Sequence, residues 1–137
     1  MSHISEIYGC IIGPDYYEQT TLMWRRNADR INALADADDW PPLTRDMFAV
    51  PEDEHNFNIQ MIAFCASQNG VHLWARWLEK FETLLKTLYW DEVNLHLRTE
   101  AWGTFHYVWT PLGHSLTGKS PSPVTEWEFM GGPRQFT

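Results

Sequence analysis

The chain has little cysteine, little positive charge and no long apolar run, and each shortage removes a class of protein. Its 137 residues hold two cysteines, Cys10 and Cys65, too few for a disulfide-stapled scaffold. Both fall in expected strands and read as buried thiols, and Cys65 has no basic neighbour in the sequence to lower its pKa. Neither H-E-x-x-H nor paired C-x-x-C occurs, and His72, His96, His106 and His114 are dispersed, so no metal site and no cofactor is expected. Ten basic side chains stand against 18 acidic ones, and the formal net charge of −8 would repel a phosphate backbone, which argues against direct nucleic-acid binding. No run of 18 apolar residues occurs, and the N-terminal MSHISEIYGCIIG lacks a basic region. A cytoplasmic protein with neither signal peptide nor membrane contact is expected.

Apolar material is plentiful: 44% of residues are hydrophobic and 15% aromatic, with eight tryptophans. That composition predicts one folded domain spanning residues 1–137. Tryptophan fills cores but also anchors interfaces, so the count favours a protein that binds another macromolecule. An acidic chain is drawn to a basic partner, although negative charge also serves solubility.

One motif invites a nucleotide reading. GHSLTGKS, Gly113 to Ser120, fits G-x-x-x-x-G-K-[ST], in which backbone N–H groups cradle phosphates, Lys119 would reach the terminal phosphates and Ser120 would hold magnesium. Such a loop must open a long helix, yet Pro121 and Pro123 follow at once and favour extended chain. Nor is it a nucleophile elbow, since Thr117 stands where G-x-S-x-G needs its second glycine. The segment reads as a polar loop.

Ile4 to Ile12 predicts a strand that Gly13-Pro14 stops. Asp15 then caps a helix with Glu18 three residues on, and Tyr17, Trp24, Ala28, Ile31 and Ala35 share one face of it. An acidic, proline-rich turn follows over 35–42, then a short strand around Arg45 to Val50 and a second acidic turn, Pro51 to His55. From Phe57 the chain alternates, with Ile59, Met61, Ala63 and Cys65 on one face; Ile62 and Phe64 spoil the other, predicting a central strand covered on both faces. His72 to Trp90 is the clearest helix. Trp74, Trp77, Leu78, Phe81, Leu84, Leu85 and Leu88 form a core stripe, and Glu82 is placed to pair with Lys86.

Val93, Leu95 and Leu97, then Phe105, Tyr107 and Trp109, predict a hairpin around the loop Ala101-Trp102-Gly103, with Gly103 left-handed. Leu97 would then face Tyr107, Leu95 Trp109 and Arg98 His106. The order strand, helix, weak strand, strand, helix, strand, strand predicts an α+β fold: a mainly antiparallel sheet with two helices packed on one face, close to a ferredoxin-like split β-α-β with an added strand.

Two constellations are candidates for function. His96, Arg98, Glu100 and His106 share the sheet face turned from the core, where imidazoles and a guanidinium suit a small hydrolase or isomerase; an ordinary polar face is the simpler reading. Asp36, Asp38 and Asp39 beside Trp40, and Glu52, Asp53 and Glu54 after Phe48, set carboxylates next to aromatics, as a binder of a basic surface would. A homo-oligomer burying the open sheet face is a third reading.

Four segments taken together, EIYGCIIG, WPPLTRDMFAVP, WARWLEKFETLLKTLYWDEVNLHLRTE and PVTEWEFMGGPR, resemble small bacterial immunity proteins of polymorphic and contact-dependent toxin systems. The resemblance covers most of the chain and rests on packing and turn segments, so it carries no residue-level contact. It implies a cytosolic protein without catalysis of its own that binds a cognate toxin domain, often a nuclease and thus basic, and covers its active or substrate surface. The expected partner site is then the acidic turns.

Overall fold

The computed structural model describes residues 4–13, 20–51, 61–112 and 123–136. Asp15, Tyr17, Glu18, Glu52, Asp53, Glu54, Phe57, Ile59 and the GHSLTGKS loop, with His114, lie outside the described residues, as does the Trp24 side chain. The elements run β1 (Ile4–Ile12), α1 (Thr20–Asn32), a single 3-10 turn (Arg45–Met47), β2 (Phe48–Ala49), β3 (Met61–Asn69), α2 (Trp74–Leu85), β4 (Glu92–Thr99), β5 (Gly103–Pro111) and β6 (Trp127–Gly131). They form one six-stranded sheet in the order β2-β3-β1-β4-β5-β6, and every pairing is antiparallel.

The α+β class and the helices on one face follow from the apolar pattern. Ile7 and Ile11 of β1, Ile62 and Phe64 of β3, Val93, Leu95 and Leu97 of β4, and Tyr107 and Trp109 of β5 point to one side and are buried. Against them α2 lays Trp74, Trp77, Leu78, Phe81, Leu84 and Leu85. Burial of each such side chain is worth about 1.5–3 kcal/mol, so this stripe, rather than helix propensity, holds α2 in place. Two strands, β5 and β6, extend the sheet beyond β4 rather than one. β6 is five residues long, too short for its alternation to stand out between Pro123 and Pro133.

Three expectations are corrected. β3 is covered on one face only: bulky Ile62 and Phe64 take the core side, leaving Met61, Ala63 and Cys65 exposed, so Cys65 is a surface thiol. The hairpin closes on Thr99 opposite Gly103, which gives Leu97 opposite Phe105, Leu95 opposite Tyr107 and His96 opposite His106. Gly103 is left-handed (φ 90°) but lies inside the strand, and Thr99 Oγ1 donates to Gly103 O (2.8 Å) while accepting from Trp102 N, so the loop begins one residue earlier than expected. The slip is even, and every side chain keeps its face. Finally, Glu82 turns from Lys86: it accepts from Trp109 Nε1 (2.9 Å) and pairs with Arg134, while Lys86 lies over the Trp127 ring.

The described part of α1 buries Met23, Asn27 and Ile31, with Ala28 half-buried and Ala35 exposed beyond the helix end. Asn27 earns its buried place by imitating a strand: its Nδ2 donates to Tyr89 O (2.8 Å) and its Oδ1 accepts from Tyr89 N (2.9 Å). Both polar ends are satisfied, so burial carries no desolvation penalty left uncompensated.

Gly9, in the central strand, sits where neighbouring elements close in. A Cβ there would lie 2.0 Å from Asn94 O and 2.9 Å from Phe64 Cζ. Because the closer obstacle is backbone, Gly9→Ala should destabilise the fold by about 2 kcal/mol or more, read as a lower urea midpoint. An unchanged midpoint would show that β1 and β4 are less closely apposed.

Candidate functional site

The first acidic turn is a loop built around one lysine. Lys80, on the outer side of α2, donates to Asp38 Oδ2 (2.8 Å), Asp39 O (2.8 Å) and Pro41 O (2.9 Å). Asp38 Oδ2 also accepts from Leu43 N (3.0 Å), and Trp77 Nε1 reaches Pro42 O (3.2 Å). The Lys80 hydrogen bond, with that from the Leu43 amide, holds the Asp38 carboxyl below the usual carboxylate range. Asp36 pairs with Arg45, whose NH1 also donates to Asn32 O (3.2 Å).

Two of the three aspartates are therefore spent on the loop's own shape. What the loop offers outward is Asp39, whose carboxylate has no partner among the described residues, and Trp40, 53% exposed. Leu43 and Pro41 beneath are buried, which fixes the loop on the helix layer. Of the other tryptophans described, Trp74, Trp77, Trp90 and Trp109 fill the core. Only Trp40 and Trp102 are exposed tryptophans among the described residues.

The histidine face lies on the opposite side of the sheet. Tyr8, His96 and His106, on β1, β4 and β5, form a row of parallel rings with centroids 5.0 and 4.4 Å apart. Asn94 Nδ2 donates to Glu92 Oε2 (2.6 Å), which leaves Asn94 Oδ1 to accept from His106 Nε2 (2.9 Å). Arg98 stands one row away opposite Thr104, 3.9 Å from Glu6. His96, Arg98 and His106 stand on one face of the sheet, while Glu100, expected with them, lies in the turn beyond β4. A depression on this side is lined by Arg98 with Ile4, Glu6, Thr99 and Glu100, and it includes neither histidine. Burial, then the charge of Glu92, pushes the Cys10 thiol up, which disfavours a thiolate at this face.

Sequence reasoning missed Lys80 as the organiser of the loop, because its partners are 39 to 42 residues away. It also missed the end of the sheet near Trp102. A tryptophan in a three-residue turn has no flanking strand to cover it, and that was the available signal. No group of three or more His, Cys, Asp or Glu placed to hold a metal occurs among the described residues, and no helix there is long and apolar enough to cross a membrane. No family model, curated protein or solved structure matches the chain.

The clamp has a measurable signature. Asp38 titrates low in the folded protein, so its ionised form stabilises the fold above the unfolded value of about 3.9, and that contribution is lost as pH falls through the folded value. Lys80→Met should raise the Asp38 carboxyl titration followed by carbon NMR and flatten the loss of stability below about pH 4. An unmoved Asp38 titration would refute the clamp.

Proposed function

We propose that the chain is an immunity-type binding protein that neutralises a cognate toxin domain by covering its active or substrate surface. The observation that carries the reading is the pair Asp39 and Trp40, held out to solvent on a loop whose other carboxylates are already engaged. A loop fixed by Lys80 and Trp77 loses little conformational freedom on binding, so more of its contact energy remains as affinity. Tryptophan is the residue most enriched among interface anchors, and a carboxylate beside it favours a cationic neighbour. The net charge of −8 speeds capture of a basic partner and supports a nuclease as the toxin class. Occlusion asks for no catalytic residue, and partner and mechanism rest on the family resemblance together with this loop.

The test is binding to the product of the gene immediately upstream, where this reading expects a toxin domain. Trp40→Ala should weaken the complex at least tenfold, roughly the cost of losing a central anchor, while Asp39→Lys should slow association chiefly at low salt. A complex indifferent to both changes would move the contact elsewhere. A neighbouring toxin that does not bind the wild-type chain would end the immunity reading.

A further inference from the structure

The two edges of the sheet are finished differently. At one edge β2 is two residues long, entered from the 3-10 turn and followed shortly by Pro51, so it offers almost no ladder to another chain. At the other edge β6 runs five residues, Trp127–Gly131, with neither lysine nor proline within it, and no strand lies beyond it among the described residues. An edge strand left in that state is a template for pairing.

The register decides which main-chain groups face outward. Leu112 N donates to Glu126 O (3.1 Å) just beyond the last β5–β6 pair, Pro111 with Trp127, and along an antiparallel ladder bonded and non-bonded pairs alternate. Thr110 with Glu128 and Val108 with Met130 are therefore the bonded pairs, and Pro111, which has no N–H, falls opposite Trp127 where none is needed. By the same alternation the N–H and C=O groups of Trp127 and Phe129 turn away from β5. No backbone partner for them occurs among the described residues, so two donors and two acceptors stand free along the edge.

The side chains beside this edge sort by face. On the open side stand Glu128 and Met130, with Glu126 on the same side just before the strand; all three are exposed, and neither carboxylate has a partner among the described residues. On the helix side Lys86 lies over the Trp127 ring (5.9 Å to the centroid) and Arg134 over that of Phe129 (4.6 Å). We propose that β6 receives an extended segment of a partner protein as a further strand, with lysine or arginine on the open face beside Glu126 and Glu128 and apolar side chains on the helix face beside Trp127 and Phe129. Opposite charges across a strand pair favour that order, and the cations over the two rings disfavour its reverse. Main-chain bonds then supply affinity, and the alternating side chains choose the partner. The inference rests on the binding-protein reading, to which it adds a second contact and the form that contact takes.

The experiment is amide NMR of the full chain, free and with the blocked peptide Val-Lys-Val-Lys-Val. The controls are Val-Glu-Val-Glu-Val and the lysine peptide N-methylated at every valine, which removes the donors that would face the edge. In the free chain the Trp127 and Phe129 amides should exchange with solvent about tenfold or more faster than those of Glu128 and Met130. The lysine peptide should shift the 126–131 amides and slow exchange at Trp127 and Phe129, while the glutamate peptide should bind roughly fivefold or more weakly at low salt. The N-methylated peptide should not bind, and Glu128→Lys, at an exposed site, should erase the preference over the glutamate peptide. Trp127 and Phe129 amides already protected in the dilute free chain would overturn the assignment, and protection that appears with rising protein concentration alone would give the edge to a second copy instead. Equal binding of the N-methylated peptide, shifts confined to Asp39 and Trp40, or no shift at millimolar peptide would overturn it too. Failure of the wild-type chain to bind the upstream product would instead strike the immunity reading, whatever the peptides do.

Discussion

Four buried indoles have to find acceptors for their N–H groups, and the positions of those acceptors set much of the rest of the molecule. Trp74, Trp77, Trp90 and Trp109 are each at most 1% exposed. An indole donates and never accepts, and leaving such a donor unpaired in a core costs about 1–3 kcal/mol. Each one therefore pins a different segment. Trp90 closes the end of α2 through Leu85 O, and Trp109 binds β5 to α2 through Glu82, which in turn holds Arg134. Trp77 fixes the acidic loop through Pro42 O, and Trp74 fixes the C-terminal segment through Pro133 O. The surfaces offered to partners are thus by-products of what the core needs. This also explains why a high tryptophan count is poor evidence for binding here: at least half of the eight are committed inside.

Charge follows the same logic. Three aspartates within four residues look from the sequence like one negative patch, but ion pairing sorts them. Asp36 goes to Arg45 and Asp38 to Lys80, while Asp39 keeps its charge toward solvent. Exposed ion pairs of this kind contribute about 0–1 kcal/mol each to stability. Their larger effect is to remove conformations of the loop, so that Trp40 is presented on a fixed frame.

Residues acting through near neighbours were legible, and residues acting at a distance were not. β1 was readable at both ends because β-branched residues run up to Gly13, and the α2 stripe was readable because its apolar residues repeat at helical spacing, six of the seven within the helix and Leu88 just past its end. The hairpin faces were readable, yet its register was not, since a two-residue shift preserves the alternation, and the Thr99 hydroxyl, bonded across the turn, closes the observed register. The buried face of α1 was legible only in part: Ile31 is buried and Ala28 half-buried as expected, but Asn27 is polar, and no local pattern announces that Tyr89, 62 residues on, will satisfy it. Half of the candidate site was legible in the same sense. Trp40 and its carboxylates stand together in the sequence, whereas Lys80, which decides which carboxylate stays available, belongs to a helix whose own pattern explains only its apolar side.

The acidic loop and the C-terminal segment are tied through one pair of rings. Trp74 and Trp77 lie three residues apart on α2 and stack on each other at 5.6 Å with a 9° angle between planes. One holds the segment that carries Phe136, and the other holds the loop that carries Trp40. Close-packed interiors transmit strain rather than absorb it, so neither surface can shift far without disturbing the stacked pair. A partner that touches both would meet two contacts already fixed relative to each other, and the second would add affinity without a further ordering cost. A partner that touches only one still meets a backed surface, because the stack itself packs on Phe81, and Phe81 on Trp109.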